Sequence, residues 1–118
     1  MDDIKTILND FLISTKATSA LILDEKGTLI TSLDVDYSDS IAAMSAAILS
    51  MCDKFLSDLE KGVLKQLFLK TSEGIVIGNR IGNSNFIIIF SDGGSNLGLL
   101  MKTTEELAGE LSKKTFLK

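Results

Sequence analysis

Ser38 to Lys61 reads SDSIAAMSAAILSMCDKFLSDLEK. At 3.6 residues per turn the stretch is long enough for about six helical turns. Ile41, Met44, Ile48, Cys52, Phe55 and Leu59 recur at spacings of three and four. They therefore share one face of a helix, and the expectation is that this face is buried. Ala42, Ala43, Ala46 and Ala47 make two small-residue pairs at i, i+4, a surface that another helix backbone can approach closely, and Leu49 and Leu56 extend it. Asp36 or Ser38 is the expected N-cap, a side chain that accepts from a free backbone N–H. Lys61 and Gly62 form the expected stop, a cation at the negative end of the helix dipole followed by a residue tolerant of left-handed backbone. A helix with one greasy face and a second, alanine-lined face has more to bury than a single sheet covers, and that surplus implies a partner.

Upstream, Asp2 to Ser14 has a helical stripe of Ile4, Ile7, Leu8, Phe11 and Leu12. Ala20 to Leu23 is a continuous apolar run, as expected of a strand covered on both faces. Asp24-Glu25-Lys26-Gly27 is a tight turn into a second strand, Thr28 to Ser32. Downstream, Val63 to Thr71 is read as a third strand, partly wet because Lys65, Gln66 and Lys70 interrupt it. Ser72-Glu73-Gly74 turns the chain into a fourth strand, Ile75 to Ile81. Its Ile75, Ile77 and Ile81 lie on one face, with Val76, Gly78 and Arg80 on the other. After the turn Gly82-Asn83-Ser84, Phe86 to Phe90 is the greasiest strand and belongs in the middle of a sheet, since an exposed edge of that composition would aggregate. Asn96 is placed to cap a last helix with the stripe Leu97, Leu100, Met101, Thr104, Leu107, Ala108 and Leu111, and Glu110 and Lys114 are spaced for a pair on its wet side. The order is α-β-β-α-β-β-β-α. Short turns within each strand group imply antiparallel pairing. Helix two on one face and helices one and three on the other make an α/β (α+β) three-layer sandwich around a central five-stranded sheet.

The totals narrow the function. A chain of 118 residues is expected to be one domain, residues 1–118. Net charge is −4 without a basic cluster, which argues against nucleic acid and anionic membrane surfaces. No apolar run reaches the ~18 residues of a membrane span. The N-terminus MDDIKTIL lacks the basic region of a secretory signal, and there is one cysteine, so a cytoplasmic, reducing compartment is expected. There is no histidine, the commonest general base and metal ligand.

Motifs with chemistry are weak. Asp34-Val35-Asp36-Tyr37-Ser38 resembles the opening of a calcium loop, but Asp39 stands where glycine is needed and Ser45 where a bidentate glutamate is needed; no metal site is expected. Asp92-Gly93-Gly94-Ser95-Asn96 precedes a helix but lacks the lysine and spacing of a phosphate loop, and reads as a strand-to-helix turn. Cys52 has no histidine partner and reads as a small apolar residue. Arg80, the single arginine, reads as a solvent-facing strand residue rather than an arginine finger. No catalytic constellation and no cofactor is indicated.

Several features together resemble one family. They are the element order, Asp24 and Gly27 between the first strands, the alanine-rich second helix, Leu59 with Gly62-Val63 entering the third strand, and Asn96-Leu97-Gly98 opening the last helix. The chain is similar to the roadblock / dynein-light-chain domain, which shares its architecture with longin and profilin folds. The resemblance implies a non-enzymatic homodimer in which third strands pair edge to edge and second helices pack side by side. On that pattern Lys65, Leu67 and Leu69 lie along the shared edge, and Ala42, Ala43, Ala46, Ala47 and Ser50 between the helices. Leu49, Asp53 and Leu56 are candidate contacts for a further partner. The partner implied is a small Ras-like GTPase, which members of the family activate, modulate in exchange or scaffold; others serve as adaptors in dynein and lysosomal complexes. The short chain is closest in form to prokaryotic stand-alone members. A heterodimer with a related roadblock protein would use the same surfaces. The alternative is a small-molecule or nucleotide sensor with a PAS- or profilin-like sheet, disfavoured by few aromatics and by central strands without polar interruptions.

Overall fold

The computed structural model describes residues 2–94 and 96–114, with the Asp2 side chain excepted. The elements are α1 (Asp2–Thr15), β1 (Ser19–Asp24), β2 (Leu29–Leu33), α2 (Ser38–Asp58), β3 (Gln66–Thr71), β4 (Gly74–Ile81), β5 (Asn85–Ser91) and α3 (Leu97–Leu111). The expected order is the observed one. Five antiparallel strands form one sheet in the order β2-β1-β5-β4-β3. β5 takes the middle, as its run of Phe86 to Phe90 requires, and β3 and β2 are the edges.

Alternation along the strands splits the core in two. Ala20 and Ile22 of β1, Ile77 and Ile81 of β4, and Ile87 and Ile89 of β5 face α1 and α3. There they meet Ile4, Leu8, Phe11, Leu100, Leu107 and Leu111. Leu21, Leu23, Phe86 and Ile88 face the other way, onto Ala42 and Leu49 of α2. Fully burying each such leucine or isoleucine contributes about 1.5–3 kcal/mol against leaving it in water. β1 and β5 are buried along nearly their whole length, which explains their unbroken apolar runs.

The second helix departs from expectation in three ways. Its N-cap is Tyr37, in left-handed backbone at φ 55°, and no side chain of Asp36 or Ser38 caps it. It stops at Asp58, not Lys61. Glu60, at φ 58°, takes the left-handed position. Its N–H donates to the Ser57 carbonyl (3.0 Å) and the Lys61 N–H to the Leu56 carbonyl (2.9 Å), a Schellman closure without glycine at its centre. Third, the buried face is rotated: of the stripe expected to be buried, Ile41 and Cys52 pack half-buried on the core and the rest do not. Met44, Ile48, Met51, Phe55 and Leu59 are exposed, and the helix meets the sheet through Ala42, Ala46, Leu49 and Leu56. By length and composition α2 also passes as a membrane-crossing helix, contrary to the sequence expectation. Its apolar excess lies along one stripe, however, not all round.

Smaller differences follow from tertiary partners. β3 begins at Gln66 rather than Val63. Lys114 pairs with Asp3 at 2.5 Å, not with Glu110, and thereby ties the end of α3 to the start of α1. Asn96 caps α3 as expected, accepting from the Leu99 N–H at 2.9 Å, while Leu97 stays 37% exposed.

Candidate interaction surface

Three residues from distant parts of the chain fix the approach to β3. Asp53 accepts the Leu64 N–H at 2.9 Å with one carboxylate oxygen and Arg80 Nη2 at 2.7 Å with the other. Arg80 also donates from Nε to the Leu64 carbonyl (2.8 Å) and from Nη1 to the Asn83 carbonyl (3.2 Å). Its guanidinium lies 4.7 Å from the centre of the Phe86 ring. The arginine is thus a clasp between α2, the segment before β3 and the β4–β5 hairpin, with 18% of its side chain exposed. The solvent-facing reading of Arg80 is overturned, and no apolar-pattern signal marks the role, because the contacts join residues 27 and 16 positions apart. Burial pushes the Asp53 carboxyl up, but the bonds from Leu64 and Arg80 outweigh it and hold the group below its ordinary 3.8.

The clasp sets the phase of the edge. The Arg80 N–H donates to the Lys65 carbonyl at 2.9 Å, so residues 65 and 80 are a hydrogen-bonded pair of the β3–β4 ladder. Antiparallel ladders alternate. Leu67, Leu69 and Thr71 therefore turn their backbone groups toward β4, and Gln66, Phe68 and Lys70 turn theirs outward. Side chains alternate too: Leu67 and Leu69 lie on the α2 side, and Phe68 on the α1/α3 side. Gln66 donates from Nε2 to Asn79 Oδ1 (2.8 Å) and to the Met101 carbonyl (3.0 Å).

α2 packs chiefly on β1 and β2. The α2 side of β3 and β4 is left as a shallow apolar groove of Leu67, Leu69, Val76 and Ile88, walled by Ile48 and Leu49. The exposed stripe from Met44 to Leu59 lies beside that groove. Met51 is 74% and Phe55 64% exposed. This surface is the one that a sequence rule of burying the largest residues hides.

The alanines serve another contact. Gly27, at φ +89°, brings the β1–β2 turn so close that a Cβ there would lie 3.2 Å from Ala43 Cα and 3.3 Å from Ala46 Cβ. Small residues on α2 seat the turn. Ala42 is fully buried and unavailable to a second subunit. Ala47 and Ser50 are exposed, and Ser50 lies beside Glu25 and Lys26 of the turn, away from β3. Leu49 is buried at the wall of the groove, Leu56 is half-buried on the same core, and Asp53 is engaged by Arg80. Lys65 and Leu69 are exposed and Leu67 half-buried at the β3 margin. Cys52 is half-buried against the sheet-side core. Among the described residues no group of three His, Cys, Asp or Glu is placed to hold a metal ion.

Residues 3–91 match the Roadblock/LC7 domain, and the chain belongs to that family. Its fold superposes on Myxococcus xanthus MglB with a TM-score of 0.88 at 17% identity, over 94% of this chain and 93% of that one. A structure described as MglB with a tetrameric arrangement gives 0.88 at 16% identity, over 95% and 87%. A Roadblock/LC7 domain from Streptomyces avermitilis gives 0.81 at 16%, over 89% and 91%. No curated protein sequence matches the chain significantly.

Proposed function

We propose that the chain is a non-catalytic homodimeric adaptor that regulates or scaffolds a small Ras-like GTPase. The observation that carries this reading is the juxtaposition of two incomplete surfaces on one side of the subunit: the outward-facing β3 margin and the apolar stripe of α2. A two-fold axis beside β3 completes both at once. The register that uses every outward group centres on Phe68 and sets Gln66 of one protomer opposite Lys70 of its partner. The stripe of each α2 then covers the groove of Leu67, Leu69 and Val76 left open in the other. On this reading Met44, Ile48, Met51, Phe55 and Leu59 join the interface, with the exposed Ala43, Ala47 and Ser50 at its margin and the fully buried Ala42 outside it. Family membership supports the GTPase as the further partner, as does likeness to MglB. A cytoplasmic location goes with the same reading.

The test has two parts. Light scattering on the pure protein at micromolar concentration should give twice the mass of one chain. A Ras-like GTPase encoded beside it should then change its hydrolysis rate, its exchange rate or its retention on the immobilised dimer. A monomer overturns the assembly. A dimer inert toward such GTPases overturns the regulatory reading alone.

A further inference from the structure

The layer opposite α2 carries a second surface that the dimer leaves open. α1 and α3 run side by side, antiparallel, with Asp3 bonded to Lys114 at one end. Between them lies a groove to which each helix contributes residues at i, i+3, i+4 and i+7: positions 7, 10, 11 and 14 of α1, and 103, 106, 107 and 110 of α3. At 1.5 Å rise per residue those positions extend about 10 Å, or two turns of a third helix. Ile7, Phe11 and Leu107 supply the apolar floor; Asp10, Glu106 and Glu110 stand exposed on its walls. Among the described residues no lysine or arginine lines the groove. Among the described residues none of these three carboxylates has an ion-pair partner.

We infer that this groove docks a basic amphipathic helix of a partner protein, its apolar residues on the Ile7–Phe11–Leu107 floor and its lysines or arginines against Asp10, Glu106 and Glu110. Charge complementarity selects that occupant. A cation alone is excluded by spacing, since the described carboxylates do not form a metal-holding group. A second copy of this chain, net charge −4, brings repulsion, as does a nucleic acid or an anionic membrane. A basic helix satisfies both floor and walls in the helix-in-groove manner. A dimer through β3 exposes one such groove on each subunit, so the site rests on no feature of the dimer and is tested apart from it.

The experiment uses the full chain and a fluorescein-labelled helical peptide with leucines at i, i+3, i+4 and i+7 and arginines on the flanks, with a glutamate-for-arginine version as control. Anisotropy should show saturable binding of the arginine peptide that weakens at least tenfold in Asp10→Asn/Glu106→Gln/Glu110→Gln, and no binding of the glutamate peptide. Raising salt should weaken binding to the parent and leave the residual binding of the triple variant almost unchanged. The triple variant replaces exposed groups with isosteric amides, and its thermal melt and mass should match the parent's. Ile48→Glu, on the opposite layer, should bind the peptide as the parent does. Equal affinity in the triple variant, loss of binding in Ile48→Glu, or no saturable binding would each overturn the inference.

Discussion

Replacing Lys70 with proline separates the dimer from the fold. The Lys70 side chain is exposed, and its N–H points away from β4. Proline is accepted on an edge strand where the N–H faces outward. The residue before it, Leu69, is already extended within β3, the conformation that proline asks of its neighbour. The subunit therefore keeps its β3–β4 ladder. In the proposed dimer each Lys70 N–H meets a Gln66 carbonyl across the two-fold axis, so the substitution would remove two hydrogen bonds from that assembly. At about 0.5–1.5 kcal/mol each, the loss is about 1–3 kcal/mol, or roughly five- to 150-fold in dissociation constant, before any clash of the ring with the partner strand. Light scattering over a dilution series measures the shift, and circular dichroism on the diluted monomer checks the fold. Leu69→Pro is the control: its N–H faces β4, so it should unfold the subunit rather than merely split it. If Lys70→Pro dimerises as tightly as the parent, β3 pairing is not the assembly contact.

Ile48→Glu puts a charge in the centre of the exposed α2 stripe; the expected result is a monomer whose folding stability is within about 0.5 kcal/mol of the dissociated parent, read by dilution and urea melts. Gly27→Val meets both a positive φ and the α2 backbone at 3.2 Å, so urea melts should show a loss of about 1–3 kcal/mol with oligomeric state unchanged at low denaturant. Arg80→Ala leaves one Asp53 carboxylate oxygen and the Leu64 carbonyl without their guanidinium partner, while the other oxygen keeps the Leu64 N–H; the expected cost is about 1–3 kcal/mol, moderated by water's access to Asp53, and Arg80→Lys should recover only part because one ammonium cannot span both acceptors. Because the Asp53 carboxyl titrates lower folded than unfolded, its contribution is present above about pH 3.8 and is lost as pH falls through the lower folded value; Asp53→Asn should flatten that acid limb of the stability curve.

The architecture was readable because its signals are local. Periodicity located every helix and strand, Asn96 announced a cap that the structure contains, and the run Phe86–Phe90 demanded the middle of the sheet. What escaped was which side of α2 faces inward. Burying the largest residues is sound for a helix whose largest residues meet its one partner, but here Ala42, Ala46, Leu49 and Leu56 meet the sheet while Met51 and Phe55 do not. The Gly27 turn comes close to the Ala43 backbone and the Ala46 side chain, a flank where small residues fit, while Met44, Ile48, Met51, Phe55 and Leu59 lie exposed. The Arg80–Asp53–Leu64 clasp was invisible for a different reason. Its members have no periodic relation, and a lone arginine on a strand looks the same in sequence whether wet or engaged.

That clasp has a consequence for how such a chain can vary. It holds Leu64 two residues ahead of β3, and everything beyond is counted from there. Inserting a single residue between Leu64 and Gln66 would reverse parity along the margin: the leucines would rotate to the helix-pair side and the wrong amides would greet a neighbouring strand. Insertions of two would restore it. Length changes in this short connector should therefore be tolerated only in even steps.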